Sequence, residues 1–270
     1  MKKPLLLSVL TLSTFLLALY GPRLVYPLLG WPLDRMNVLQ YTLHRGCWWL
    51  LLPMLLLALV HGPGQVLREL RLHASPLTGL WVGLACTLPM LLGYALLFPF
   101  TTQPAPALLT QLYTGALWAG LGEEALFRGF LLGQLYRHGR WPLVLAMLVG
   151  AVFFASGHFY QGHSLGSTAG VLGITFAGAL WFGWLLMRWQ NLWVPVVLHI
   201  GMNAWWMLFE VADNAAGGLW ANVFRAVTIG LSVWLTLRYT RPIARPAVAG
   251  EQPAPPGPPA EPADRSALPA

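Results

Sequence analysis

Charge is scarce in this chain. Of 270 residues only 9% are Asp, Glu, Lys or Arg while 57% are hydrophobic, and mean hydropathy is +0.60. Ordinary soluble domains carry about 25% charged residues, so a soluble enzyme and an extracellular scaffold are both excluded. Cysteine is nearly absent too. Cys47 and Cys86 sit inside apolar runs without C-x-x-C spacing and read as small core residues, which leaves no disulfide framework and no cysteine metal knuckle. Acidic groups are scarcer than basic ones, 9 against 16. In a soluble protein that surplus would point to nucleic acid; here a positive-inside bias accounts for it, and no nucleic-acid partner is implied.

What is present is a series of apolar runs of about 20 residues, the length one helix needs to cross a bilayer. The expected fold class is therefore all-α, a polytopic bundle of about eight transmembrane helices. A first helix runs from Leu5 to Tyr20 and extends toward Leu29; it follows Lys2 and Lys3 but no small-x-small cleavage site precedes Gly21-Pro22. Further spans are expected at Cys47–Val60, Leu77–Phe98, Ala107–Arg137, Trp141–His158, Ser167–Met187, Leu192–Phe209 and Leu219–Leu237. The run of 31 residues from Ala107 is longer than a perpendicular crossing needs, so it is tilted, broken or continued beyond the membrane.

Ten basic residues (Lys2, Lys3, Arg68, Arg71, Arg137, Arg140, Arg188, Arg238, Arg241, Arg245) fall on one side of this arrangement and three (Arg23, Arg35, Arg45) on the other, which puts both termini in the cytoplasm. Tryptophans near span ends, among them Trp31, Trp141, Trp189, Trp193 and Trp220, fit an interfacial belt. From Arg241 the composition changes: 9 of the last 30 residues are Pro and 8 are Ala, as expected of a disordered tail. The chain thus divides into N-terminal helices over 1–106, a helix bundle over 107–238 and a tail over 239–270. Glycine pairs four apart (Gly79 and Gly83, Gly129 and Gly133, Gly166 and Gly170) permit close helix contact.

Between Leu70 and Phe209 the only carboxylates are Glu123 and Glu124, side by side in mid-span. A buried acid costs several kcal/mol unless paired or protonated, so the two require a partner or a function. Neighbours on a helix point about 100° apart. Glu124 can therefore reach Arg128 at i+4 as an orienting ion pair, whereas Glu123 faces elsewhere and is the site candidate. His158 closes the fifth run, and His199 and Asn203 share one face of the seventh. At about 1.5 Å per residue, Glu123 lies roughly 20 Å from the cytoplasmic end, His158 about 25 Å, Asn203 about 18 Å and His199 about 12 Å. His44, His61, His73, His138 and His163 fall in connections and carry no assigned chemistry, and Arg225 has no evident role.

A carboxylate, an imidazole and a second imidazole with an amide are the parts needed to hydrolyse an amide without a nucleophilic side chain. Glu123 would take a proton from water with help from His158, and His199 and Asn203 would stabilise the oxyanion. Alternatively Glu123, His158 and His199 would hold Zn²⁺ with an open water position, although no H-E-x-x-H occurs. Glu123-Glu124-Ala125-Leu126-Phe127-Arg128 fits E-E-x-x-x-R, Phe154 to His158 fits F-x-x-x-H, and His199 to Asn203 fits H-x-x-x-N. In this order, over Leu108 to Phe209, the motifs resemble the CPBP family of intramembrane proteases, also called the type II CAAX prenyl endopeptidase or Abi family. The resemblance implies an endopeptidase with Glu123, His158, His199 and Asn203 catalytic and Glu124 and Arg128 supporting; the family is read both as metal-free and as metalloenzymes, and the glutamic-type mechanism without a cofactor is the one taken here, with Zn²⁺ on Glu123, His158 and His199 as the alternative. It implies a membrane-anchored protein or peptide as substrate.

The short basic N-terminus and compact form suggest a bacterial inner membrane; the sequence sets no oligomeric state. Other readings leave more unexplained or predict other behaviour. A rhomboid-type serine protease at Phe154-Ala155-Ser156-Gly157 leaves Glu123 and Glu124 unexplained. A non-proteolytic scaffold or bacteriocin-immunity protein would use the same residues to lock helices and would tolerate Glu123→Gln, and a transporter would show a Glu123-dependent flux.

Overall fold

The computed structural model describes residues 2–31 and 36–243. Arg35, Arg245 and the Pro/Ala-rich tail from residue 244 lie outside the described residues. Within them the chain is helical, and the one bridge between extended residues joins Phe100 to Phe209. The long elements are α1 (Lys2–Val25), α2 (Val38–His61), the single turn α3 (Val66–Glu69), α4 (Pro76–Leu97), α5 (residues 105–137), α6 (Leu143–Ser156), α7 (Leu165–Trp189), α8 (Trp193–Leu208) and α9 (Leu219–Tyr239).

Their ends follow the sequence. Asn37 and Gln40 form a reciprocal capping box before α2, and Ser75 and Ser164 cap α4 and α7. Pro104 and Pro142 precede α5 and α6, where a missing N–H costs nothing. Gln190 takes a left-handed backbone, φ 50°, to end α7.

Five helices are long and apolar enough to cross a membrane: Lys3–Leu29, Val38–His61, Pro76–Leu97, Leu165–Trp189 and Leu219–Tyr239. The expected count of eight is not reached by that measure. The reason is local: α6 has 14 residues and α8 has 16, and α5 carries Glu123, Glu124 and Arg128 in its middle. α6 and α8 fall short by length, and α5 by the polarity of its middle. The overlong fourth run is one helical stretch whose centre, Leu112–Leu132, is wound as a π-helix, a form frequent at functional sites, and α2 is wound in the same way over Arg45–Leu51.

α8 lies between α4 and α5, and glycine permits the approach on both sides. A Cβ on Gly79 would overlap Trp193, one on Gly83 would come within 2.6 Å of Val197 Cγ1, and one on Gly120 would overlap Ile200. The pair Gly166 and Gly170 makes no such contact, with open space around the first. α1 belongs to the core: fully buried Phe15 packs edge-on against Phe127 of α5 and Phe153 of α6 at 5.2 and 5.4 Å. Outward faces stay apolar, with Leu5, Leu24, Leu59 and Leu96 exposed as a lipid-facing surface would be.

The span-end tryptophans do more than line an interface. The indole N–H of Trp141 donates to Ser8 Oγ, that of Trp189 to Thr236 Oγ1 and that of Trp193 to the Leu72 carbonyl, so each ties two segments together, whereas Trp220 is exposed. One end of the bundle collects Lys3, Arg68, Arg71, Arg137, Arg140, Arg188 and Arg238. There Glu69 accepts from Gln134, Arg137 and His138. Burial raises the Glu69 carboxyl, but the His138 hydrogen bond and the Arg137 charge outweigh it and hold the group well below the usual carboxylate range. Arg225, without evident purpose in the sequence, donates to Asn222 Oδ1 and to the Ala215 carbonyl over the face of Trp206, and so fastens the connection before α9.

Candidate functional site

Glu123 and Glu124 lie in the π-wound part of α5, and their adjacency splits them as the helical angle requires. Glu124 is fully buried and its Oε1 lies 3.1 Å from Arg128 Nη1, one turn on. The same oxygen is 2.7 Å from His199 Nδ1 on α8. An ionised carboxylate only accepts, so the ring nitrogen donates, and that fixes the imidazole with Nε2 turned the other way. Nε2 lies 3.9 Å from Glu123 Oε2. That separation is too long for a hydrogen bond and leaves both atoms free to share a third partner.

The two carboxylates also differ in access: the Glu123 side chain is 13% exposed, the Glu124 side chain 0%. Glu124 is therefore a buried anchor and Glu123 the group that can meet a water or a substrate.

Aromatic rings hold the cluster in place. Phe182 of α7 stacks on His199, centroids 5.3 Å apart and planes 15° apart, and Phe154 of α6 lies under the Arg128 guanidinium at 4.5 Å. A buried guanidinium of this kind is tolerable because the Glu124 charge faces it and π-faces replace water. Phe182 had no signal in the sequence, since an apolar ring on an apolar helix reads as core.

His158 follows the end of α6, with Nδ1 2.8 Å from the Phe154 carbonyl and its ring 4.8 Å from the Phe154 ring. The carbonyl holds Nδ1–H and leaves Nε2 open, and the ring is half-buried. The Phe154 ring is the common wall, with its centroid 6.5 Å from that of His199. Asn203, one turn beyond His199, donates from Nδ2 to the Gly115 carbonyl of α5 at 2.9 Å. That bond uses one amide hydrogen and leaves the second.

The structure thus brings Glu123, Glu124, Arg128 and His199 into one cluster, with His158 and Asn203 at its edges. The depths counted from span ends put His199 and Glu123 about 8 Å apart in level, by roughly 1.5 Å per residue; the 3.9 Å contact brings them to one level.

Among the described residues, the group of three with metal-ligand atoms mutually within 4.8 Å is His61, Glu69 and His138, at the basic end of the bundle. Glu123, His158 and His199 do not share that spacing. The cluster sets an accessible carboxylate 3.9 Å from an imidazole nitrogen, and a carboxylate beside a hydrogen-bonding imidazole is the kind of pair that water-mediated acyl transfer uses.

No curated protein and no solved structure matches the chain. A family model does, over the helices that hold this cluster: residues 104–205 match the Rce1-like model of type II CAAX prenyl endopeptidases, and the chain carries a domain of that CPBP protease family there.

Proposed function

We propose that the chain is an intramembrane endopeptidase that hydrolyses a peptide bond in a membrane-anchored protein or peptide, with Glu123 as the base that activates water. One observation carries the reading: His199 stands between two carboxylates in unlike states, its Nδ1 bound to buried Glu124 at 2.7 Å and its Nε2 3.9 Å from accessible Glu123. A cluster that served only to lock helices would have no use for the second, unbonded carboxylate.

The steps follow from the donors. Glu123 takes a proton from a water that His158 Nε2 helps to hold, and the hydroxide adds to the peptide carbonyl carbon. The negative charge that forms on the carbonyl oxygen is met by His199 Nε2–H, with the imidazolium supported by Glu124, and by the second hydrogen of Asn203 Nδ2. The C–N bond then breaks as Glu123 returns its proton to the leaving nitrogen. No cofactor takes part in these steps. The basic end of the bundle, with both chain termini, faces the cytoplasm of a bacterial inner membrane.

The test is quantitative mapping of protein termini in membranes from cells expressing wild type, Glu123→Gln or Glu124→Gln at matched levels. A new terminus that requires Glu123 supports the protease and names its substrate. A phenotype that survives in Glu123→Gln, with no terminus changed, would instead favour the scaffold or immunity reading.

A further inference from the structure

Far from Glu123, the start of α1 and the end of α5 enclose a pocket of about 350 Å³ lined by Lys3, Pro4, Leu7, Arg137, His138 and Arg140. From these walls we infer that it is a binding site for a phosphate group, occupied by the headgroup of an anionic phospholipid. The site lies about 20 Å along α5 from Glu124 and shares no residue with the cluster there.

The charges in the pocket are of two kinds. Arg137 and His138 are engaged by Glu69, Arg137 donating to both its carboxylate and its main-chain carbonyl. Lys3 and Arg140 are exposed, and no ion pair to either is found among the described residues. Two free cations over a wall already fixed by a third attract an anion, and the most abundant anion at this level of a membrane is a lipid phosphate. Pro4 and Leu7 provide an apolar floor, which suits the glycerol and first methylenes of a lipid better than a free ion. The volume falls at the small end of ligand pockets, about 300–1,000 Å³.

The pocket is built before any ligand arrives. Gly139 N–H donates to the Gln134 carbonyl and Trp141 N–H to that of Leu135, closing a tight turn. Trp141 Nε1 donates to Ser8 Oγ, which pins that turn to α1, and a Cβ on Gly139 would come within 2.7 Å of the same Ser8 oxygen. Arg140 takes a left-handed backbone, φ 61°, a conformation that disfavours a branched L-residue and that glycine would adopt freely. The neighbouring Trp141 is the residue type that sits at headgroup level.

The experiment uses the full chain, purified in mild detergent from membranes containing phosphatidylglycerol and a zwitterionic phospholipid, with co-purified lipid quantified by mass spectrometry. Wild type is expected to retain phosphatidylglycerol enriched roughly thirtyfold over the bulk ratio, the scale two surface cations supply. Lys3→Gln with Arg140→Gln should return it to the bulk ratio, while Lys3→Arg with Arg140→Lys should keep it. Arg68→Gln with Arg238→Gln removes the same charge elsewhere on this end and should leave enrichment unchanged. Lipid displaced by inorganic phosphate at constant ionic strength identifies the phosphate group as the recognised part; lipid that resists it adds the glycerol and chain to the recognised part. Equal enrichment in wild type and the Lys3/Arg140 glutamine variant, or an equal loss in the Arg68/Arg238 control, overturns the site.

Discussion

Two adjacent glutamates invite a paired perturbation, because the geometry assigns them opposite consequences. Glu124→Gln removes the counter-charge of an Arg128 whose side chain is 3% exposed and weakens the bond that orients His199. An uncompensated buried cation costs about 3–5 kcal/mol, so this variant should unfold at markedly lower temperature or denaturant. Glu123→Gln removes no hydrogen bond of the described structure, since its nearest ionic partner is 3.9 Å away, and keeps the side-chain shape. Its stability should change by about 1 kcal/mol or less. Hydrolysis should respond in the reverse sense: loss of a general base costs about 10²–10⁴ in rate, so Glu123→Gln is expected to be folded and inactive. Thermal unfolding of both purified variants, followed through the 14 tryptophans, gives the first quantity, and the rate at which the new protein terminus appears in membranes gives the second. Equal melting of the two variants would refute the division into anchor and base. So would a Glu123→Gln protein that keeps more than about a tenth of wild-type turnover.

Three further perturbations probe the scaffold around that pair. Gly120→Val should overpack the α5–α8 crossing, where a Cβ already overlaps Ile200 and lies 3.2 Å from the Val196 carbonyl, costing about 1–3 kcal/mol and an activity loss beyond that expected from the fraction unfolded. Asn203→Ala should cost about 1 kcal/mol of stability through the lost Gly115 bond but about 10²–10³ in turnover through the lost oxyanion donor; turnover within threefold of wild type would remove Asn203 from the mechanism. The depressed Glu69 carboxyl makes a pH prediction. A folded value below the unfolded value, 4.5, means its stabilisation is complete above that pH and fades as the medium is acidified through the folded value. The stability gap between wild type and Glu69→Gln should therefore be largest near neutrality and narrow below about pH 4, and a gap that widens in acid would contradict the assignment.

The parts of this protein legible in its sequence are those governed by local spacing. Apolar runs gave the helices, and i,i+4 placement alone put Arg128 within reach of Glu124. What required three dimensions was everything that passes between helices. No feature of α8 says which glutamate His199 will meet, because that depends on how closely α8 nests into α4 and α5 at Gly79, Gly83 and Gly120. Of three glycine pairs with the same spacing, only the contacts distinguish the one that sets this crossing from Gly166 and Gly170. The π-winding of Leu112–Leu132 left no compositional trace, and neither did the ring of Phe182 on His199. His61 and His138 looked idle in their connections, yet their rings come within 4.3 Å beside Glu69 because the ends of α2 and α5 converge.

Charge accounting ties the cluster to the proposed steps. In the proposed steps Arg128 supplies one charge opposite Glu123 and Glu124, and His199, with Nδ1 bound to Glu124 and Nε2 facing Glu123, would supply the second as the imidazolium. A neutral imidazole would leave one net negative charge in a low-dielectric interior, which is costly and would disfavour the oxyanion that forms beside it. With the imidazolium present the resting cluster is neutral. When Glu123 takes a proton from water the cluster gains one positive charge as the oxyanion gains one negative charge beside it, so the sum at the site is again zero. The reaction then moves charge over a few ångströms without creating a net charge away from water, which is the condition under which fixed donors lower a barrier most. This also explains why a membrane helix would carry two adjacent acids. On the proposed steps, one would hold the imidazolium in place and the other would be the acid whose charge the reaction cancels.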